Sequence, residues 1–149
     1  MRSKRTISVC TTLAFLLCAF VPFGCAAETA SQALVNYADL LKANPMPPGE
    51  KVQGIKIAED DTETVNLARF APGVDVKPHL HKTHTETLYV IEGSGKMVMD
   101  GKTFEMKPRS IIVIPMNKVH AAKITGSSDC IALQVLTPAM KEPDRVPVP

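Results

Sequence analysis

The sequence has little cysteine, little excess charge and few long apolar runs. Of its four cysteines, only Cys130 lies beyond residue 27, and a single cysteine cannot form an internal disulfide. The run CIALQVL that begins at Cys130 is typical of a buried strand, which predicts a packed and unreactive thiol. The formal net charge is only +2, too small a basic surplus to indicate a nucleic-acid-binding protein.

One apolar run does occur, at the N-terminus. Residues 1–27 begin with three basic side chains, continue with apolar residues and end in the small residues of CAA. This is the three-part pattern of a secretory signal peptide. It predicts cleavage after Ala27 and a periplasmic or secreted protein. Because the three basic residues leave with the signal, the remaining chain would carry a net charge of about −1.

The same N-terminal pattern has two alternative interpretations. A membrane anchor is disfavoured because a spanning helix needs about 20 apolar residues, and Pro22 and Gly24 interrupt the run. We therefore expect no membrane span once the signal is removed. A lipoprotein acylated at Cys25 is the minor alternative, since the bulky Phe23 stands where such signals usually have a small residue.

After residue 27 the chain shows one short helical pattern and many short strands. Residues 28–50 combine a predicted helix, TASQALVNYADLLKA over 29–43, with a proline-rich connector. Between residues 51 and 138, short apolar runs alternate with turn sequences, and Asp100-Gly101 predicts a two-residue hairpin. The pattern predicts a single all-β domain, an antiparallel sandwich or barrel.

The last residues, 139–149, contain KEPDRVPVP. Three prolines in nine residues favour an extended tail over a ladder strand. The tail is expected either to be loose or to lie along a neighbouring subunit.

Histidine is also scarce, with four in the chain, and three of them fall within PHLHKTHTE. His79 and His81 are two residues apart, so on a strand their side chains would point to the same face. Glu86 follows after a short turn, and His120 comes later in the sequence. Three imidazoles and one carboxylate suit one divalent transition metal, namely Mn, Fe, Ni, Cu or Zn. A solvated polar turn is the alternative for this cluster.

The histidine segment resembles a known family. GVDVKPHLHKTHTETLYVIEG, residues 73–93, is similar to the first cupin motif at every fixed position. Those positions are Gly73, His79, His81, Glu86 and Gly93. GKTFEMKPRSIIVIPMNKVH, residues 101–120, is similar to the second motif, with Pro108, Pro115 and His120 in place. It departs at Ser110, where the family usually has a turn glycine.

This resemblance implies a cupin jelly-roll β-barrel over residues 51–138, preceded by one short helix. It also implies that the metal is held inside the barrel and that the protein is a homodimer. The implied metal ligands are His79, His81, Glu86 and His120. For His84, in the turn between the ligands, we expect a surface position or a contact with a ligand rather than direct ligation.

Other side chains near the motifs have weaker interpretations. Four methionines on or near the predicted strands are expected to line the barrel, and a thioether ligand for copper is the less favoured alternative. These are Met97, Met99, Met106 and Met116. Lys77 and Tyr89, which flank the ligands, are candidates for polar contacts at a pocket mouth.

The resemblance and the ligand set lead to two functional hypotheses. The first is an exported, metal-dependent enzyme acting on a small molecule, with dioxygenase-like oxidoreductase chemistry favoured over lyase, isomerase or decarboxylase chemistry. If the protein is such an enzyme, Glu86 is the candidate catalytic residue. The second is a non-catalytic domain that binds or senses a small ligand or a metal.

Overall fold

A computed structural model describes residues 34–148, so the predicted signal peptide lies outside the described residues. Within residues 34–148, no helix is both long and apolar enough to cross a membrane.

The chain from residue 34 opens with the short helix α1, Tyr37–Ala43. It begins at Tyr37 because the side chain of Asn36 accepts a hydrogen bond from the backbone N–H of Ala38 at 2.9 Å, which is N-terminal capping. The predicted helix over 29–43 was therefore too long at its start, since residues 34–36 are not helical. Residues 29–33 lie outside the described part of the chain.

Ten strands follow the helix, and the predicted fold class, an all-β antiparallel jelly roll with one short helix, is confirmed. Their bounds are β1 Val52–Glu59, β2 Thr64–Phe70, β3 Asp75–His81, β4 Thr85–Glu92, β5 Gly95–Met99, β6 Lys102–Met106, β7 Ile111–Ile114, β8 His120–Ile124, β9 Cys130–Thr137 and β10 Arg145–Pro147.

The strands form two five-stranded antiparallel sheets. One has the order β1-β2-β9-β4-β7 and the other β10-β3-β8-β5-β6. Between them lies a core of buried apolar side chains from both sheets, including Val90, Met97 and Ile124. A second, smaller cluster around Leu67 is covered by side chains of α1. Strands β4 and β5 alternate buried and less buried residues, whereas β2 and β9 bury residues on both faces, one toward the interior and one toward α1.

The C-terminal tail differs from its prediction. Residues Arg145–Pro147 form β10, which pairs antiparallel with β3 so that Arg145 lies opposite His81. The expectation that the prolines would keep the tail out of the ladder was wrong. Proline is compatible with an edge strand, where its missing N–H can face away from the neighbour, and β10 is the edge strand of its sheet.

Turns with positive φ join several of the strands. Asp100 and Gly101 have φ values of 50° and 75° and connect β5 to β6, which confirms the predicted hairpin. Gly93 has φ of 78°, and a Cβ there would lie 2.4 Å from the carbonyl oxygen of Asp129. Glycine is thus required at 93 by both backbone conformation and space.

The turn before β7 shows why the departure at Ser110 is tolerated. Ser110 N–H donates to the carbonyl of Lys107 at 2.9 Å, and the residue with positive φ in this turn is Arg109, at 75°. Ser110 itself is not among the described residues with positive φ. A glycine at 110 is therefore not needed for the turn geometry.

Candidate metal centre

Three strands bring the predicted ligands together. His79 and His81 lie at the end of β3, Glu86 near the start of β4 and His120 at the start of β8. His79 and His120 are direct partners in the β3-β8 pairing, after a register shift between Val76 and His79. This irregularity is a β-bulge, which re-aims side chains on the bulged strand.

The four side chains face a cavity of about 170 Å³ between the two sheets. Most of its wall is apolar, with Phe70, Leu88, Met97 and Met106 among the lining residues. His79, Glu86 and His120 are 6%, 6% and 4% exposed. The solvated-turn alternative for these ligands is therefore excluded.

The backbone determines which nitrogen atoms of two histidines face inward. Nδ1 of His79 is 2.9 Å from the carbonyl oxygen of Lys77, and Nδ1 of His120 is 3.0 Å from that of Lys118. A carbonyl can only accept, so each Nδ1 carries the proton of its hydrogen bond. In the neutral rings, Nε2 is then the free lone pair, as is usual for a metal-ligating histidine.

The Glu86 carboxylate lies at the point where the rings converge. Its Oε2 is 3.4 Å from Nε2 of His81 and 3.5 Å from Nε2 of His120. One nitrogen from each of His79, His81 and His120 lies within 4.8 Å of the others. Three imidazole nitrogens and one carboxylate at this spacing fit a divalent transition metal.

Electrostatics keeps Glu86 anionic. Burial acts to raise the pKa of Glu86, but hydrogen bonding to His120, His81 and Gln134 outweighs it, so the pKa lies below its ordinary value. An anionic carboxylate in a buried site requires compensating positive charge or donors. A divalent cation bound among these side chains would supply that charge.

Two of the predicted ligands, His79 and His120, have pKa values shifted in opposite directions from the ordinary histidine value. Burial lowers the pKa of His79 to about 4, so this ring is neutral at pH 7. For His120, burial acts to lower the pKa, but hydrogen bonding to Glu86 and to Lys118 raises it above its ordinary value. A metal at Nε2 needs the neutral ring, so a proton and a metal compete for His120, which couples metal affinity to pH.

Gln134 is a site residue that the sequence analysis missed. Its Nε2 donates to Oε1 of Glu86 at 2.5 Å, and its Oε1 accepts from Nδ2 of Asn66 at 3.0 Å. Hydrogen bonds from Asn66 to Gln134 and from Gln134 to Glu86 thus fix Oε1 of the Glu86 carboxylate and leave Oε2 facing the histidines. The available sequence signal was a single amide within the apolar run CIALQVL of a buried strand.

His84 is fully buried, so the expected surface position was wrong, whereas a contact with a ligand is what the structure shows. Its ring centroid is 4.4 Å from that of His81, and its Nδ1 is 3.2 Å from Oδ2 of Asp144. Neither His84 ring nitrogen is aligned for a hydrogen bond, nor is Nδ1 of His81. His84 thus packs beside a candidate ligand, at the junction of the turn and the C-terminal tail.

The remaining sequence candidates divide between the cavity and the surface. Met97 and Met106 line the cavity and Met99 packs against the core, but Met116 is 42% exposed and was wrongly placed in the barrel. Its position after Pro115, in the turn that leads to β8, takes it out of the strand alternation on which the expectation rested.

Lys77 and Tyr89 do not line the cavity with their side chains. The Lys77 ammonium pairs with Asp75 at 2.6 Å, and Tyr89 is 40% exposed. Arg145, which the sequence analysis did not consider, does line the cavity.

Cys130 is completely buried at the start of β9. Burial raises the pKa of its thiol above the ordinary value, which lowers its reactivity. The prediction of a packed, unreactive thiol is consistent with both observations.

Comparison with known proteins gives a match to one family model and similarity to several relatives. Residues 66–136 match the family model described as "Cupin domain". The chain is 30% identical over 98 residues to quercetin 2,3-dioxygenase of Bacillus subtilis, a match that covers 64% of this chain and 29% of that protein. It is also 30% identical over 60 residues to 5-nitrosalicylic acid 1,2-dioxygenase of Bradyrhizobium sp, covering 40% and 28%. The chain spans less than a third of the length of either relative.

Solved structures show the same fold. A conserved protein with a double-stranded β-helix domain from Klebsiella pneumoniae superposes with a TM-score of 0.64 at 18% identity, covering 78% of this chain and 98% of that one. At this identity the likeness concerns the fold alone.

Proposed function

We propose that this barrel, whose domain match and structural neighbours support the cupin superfamily, is a metal-dependent enzyme acting on a small molecule. A dioxygenase-type oxidoreductase is the favoured reaction class. The observation that carries the proposal is the convergence of three histidines and one anionic carboxylate on a cavity with room beside them. The two relatives named as dioxygenases support the choice of reaction.

His79, His81, Glu86 and His120 would hold the metal. A divalent metal in this place supplies Lewis-acid polarisation of a substrate oxygen, and redox chemistry if the ion is Mn, Fe or Cu. The apolar wall contributed by residues such as Leu88 excludes water from the reacting centre.

Glu86 has a second possible role as a proton acceptor. Gln134 occupies its Oε1, so Oε2 is the atom able to contact either a metal or a substrate proton. The lowered pKa of Glu86, in which hydrogen bonding outweighs the effect of burial, suits it to ligation and makes it a weak base.

Two other functions share this site. Lyase, isomerase or decarboxylase chemistry needs only the Lewis acid and uses the same ligands. A non-catalytic binding domain is favoured by one observation: besides the predicted ligands, Gln134 and Arg145 are the polar side chains among the described residues that line the cavity. Neither is an ordinary general acid or base at neutral pH.

The metal is tested first, by elemental analysis of protein purified from its own host without chelators or affinity metals. We expect about one transition-metal ion per chain. Oxygen uptake by this protein is then measured with quercetin and with 5-nitrosalicylate, the compounds that appear in the names of the two relatives. Protein that lacks bound metal would support the binding domain, and metal-loaded protein without oxygen uptake would favour the Lewis-acid reactions.

The role of Glu86 is tested with Glu86→Gln, which keeps the size and one ligating oxygen but removes the charge. If Glu86 accepts a proton, the variant should retain part of its metal and lose turnover by about 100-fold or more. Glu105→Gln is the matched control, because Glu105 is exposed on β6. Full metal content with unchanged turnover would exclude the base role and leave Glu86 as a ligand only.

A further inference from the structure

Arg145 is the one lysine or arginine among residues 34–148 that lines the cavity. It lies on β10 opposite His81 of β3, so the C-terminal tail brings it beside the candidate metal ligands. Arg145 and the histidines line the same cavity, so the guanidinium can act on a group bound next to the histidines.

Within residues 34–148, the Arg145 side chain donates one hydrogen bond. One of its nitrogen atoms, Nη2, donates to the carbonyl of Lys77 at the long distance of 3.4 Å. Arg69, by contrast, pairs with Asp129 at 2.6 Å. Among the ion pairs of residues 34–148, none includes Arg145. A guanidinium has five N–H donors, so most of its hydrogen-bonding capacity remains for a ligand.

The backbone next to Arg145 is held in place by its neighbour. The Asp144 carboxylate accepts hydrogen bonds from the backbone N–H of Lys82 at 3.0 Å, and from the backbone N–H and hydroxyl of Thr83, both at 2.7 Å. These contacts tie β10 to the turn that follows β3. Arg145 is therefore presented from a fixed backbone, which lowers the entropic cost of binding.

Apart from Arg145, Gln134 and the four predicted ligands, the cavity wall is apolar, and the cavity is small. Its volume of about 170 Å³ is close to that of an engineered protein cavity of about 150 Å³ that binds benzene. Phe70, Val76 and Ile124 are among its walls. A ligand that fills it would have an apolar body about the size of one ring.

We propose that Arg145 binds the carboxylate of the substrate, and that the substrate is a small carboxylic acid whose single-ring-sized apolar body fills the cavity beside the histidines. The planar guanidinium matches a carboxylate in a two-point contact. This inference rests on the proposed function in that it concerns the same cavity, but it is about recognition and not about the reaction.

The experiment compares benzoate with benzamide, which have nearly the same shape and differ in charge. Binding of each probe is measured by calorimetry to wild-type protein, Arg145→Met, Arg145→Lys and Lys123→Met, each in metal-free and metal-loaded form. Lys123 is the matched control, because it is exposed on β8 and does not line the cavity. Thermal melting confirms that each variant folds.

Wild-type protein should bind benzoate about 10-fold or more tightly than benzamide, the scale expected of a hydrogen bond to a charged group. Arg145→Met should abolish this preference and leave benzamide binding unchanged, Arg145→Lys should retain part of it, and Lys123→Met should retain all of it. The same pattern in the metal-free protein would show that the arginine, and not a metal, recognises the carboxylate.

Equal binding of the two probes by wild-type protein would overturn the inference, as would a benzoate preference that persists in Arg145→Met. These outcomes are separate from the failure of the proposed function. An Arg145-dependent benzoate preference in a protein that neither retains metal nor turns over substrate would uphold the inference and overturn the enzyme proposal.

Discussion

The four histidines differ in what their ring nitrogens contact, and this difference predicts unequal effects of their removal. His120→Ala and His81→Ala should lose most of the bound metal, because each removes a nitrogen that lies beside Glu86. His84→Ala should weaken metal binding by only about 10- to 100-fold, the effect expected of a residue that supports a ligand. Calorimetric titration of the metal-free proteins with Zn²⁺ would measure the differences.

The control for this series is His79→Ala, which removes a third predicted ligand and should resemble His120→Ala. Equal loss of Zn²⁺ affinity in His84→Ala and His81→Ala would contradict the assignment. It would place His84 among the ligands, with Asp144 as its neighbour.

How far individual residues could be predicted depended on where they lie in the sequence. The spacing of His79, His81 and Glu86 is local, and in the structure these three line one cavity together with His120. Gln134 and Arg145 enter the site through pairing of β9 with β4 and of β10 with β3. No local pattern marks such residues, because the contact exists only after distant strands have paired.

A comparison of Gly73 and Gly93, which both lie in turns between strands, separates the cost of a positive φ from the cost of a steric clash. Their φ values are nearly equal, 76° and 78°, but a Cβ would meet nothing within 4 Å at Gly73 and the Asp129 carbonyl at 2.4 Å at Gly93. Gly73→Ala should cost about 1–2 kcal/mol for the left-handed backbone alone. Gly93→Ala should cost about 1–3 kcal/mol more, the scale of overpacking.

Urea unfolding of both variants in the presence of a chelator would give the two free energies of unfolding, with Gly73→Ala as the control for the backbone term. Equal losses in the two variants would mean that the close approach between the turn at Gly93 and the start of β9 relaxes without cost.

The attachment of β10 predicts a pH dependence of stability. Partial burial acts to raise the pKa of Asp144, but hydrogen bonds from Thr83 and Lys82 outweigh it and lower the pKa to about 2, from an ordinary value of 3.8. Since the folded-state pKa is depressed, the stabilisation is fully present above about pH 4 and is lost as the pH falls toward 2. Asp144→Asn should destabilise the protein at pH 7 by about 1–3 kcal/mol.

The measurement is the difference in free energy of unfolding between wild type and Asp144→Asn from pH 7 to pH 2.5, with Asp61→Asn as the control for an exposed aspartate. The difference should stay constant down to about pH 5 and narrow below pH 4. A difference that stays constant to the lowest pH would contradict a stabilising role for the Asp144 charge.

The elements themselves were predicted to different degrees. The apolar runs TVNLARF and CIALQVL correspond to β2 and β9, because a short apolar run between turn sequences is a local property of the sequence. The predicted start of α1 was wrong because the helical spacing of apolar residues continues upstream of Asn36, whereas Asn36 caps the helix and Tyr37 is its first residue. Strand β10 was not predicted because its prolines argue against a strand inside a sheet. Proline is compatible with an edge strand, but the sequence of the tail does not show that the tail lies at an edge, since this position depends on the whole sheet.

For the whole molecule, we propose export to the periplasm or beyond, on the N-terminal sequence pattern alone. Intact-mass measurement of protein recovered from the cell envelope should show a chain that begins near Glu28. A lipid-modified chain beginning at Cys25 would select the lipoprotein alternative, and a full-length cytoplasmic protein would contradict export.

The short strand β10 also bears on aggregation. An uncovered sheet edge offers backbone hydrogen-bonding groups to other molecules and can nucleate intermolecular sheets. In this protein β10 covers the outer side of β3, the strand that carries His79 and His81. Its own edge is only three residues long and includes Pro147, which has no N–H to offer a further strand. We therefore expect the C-terminal tail to limit self-association through β3, and a chain cut before Arg145 to expose a longer edge.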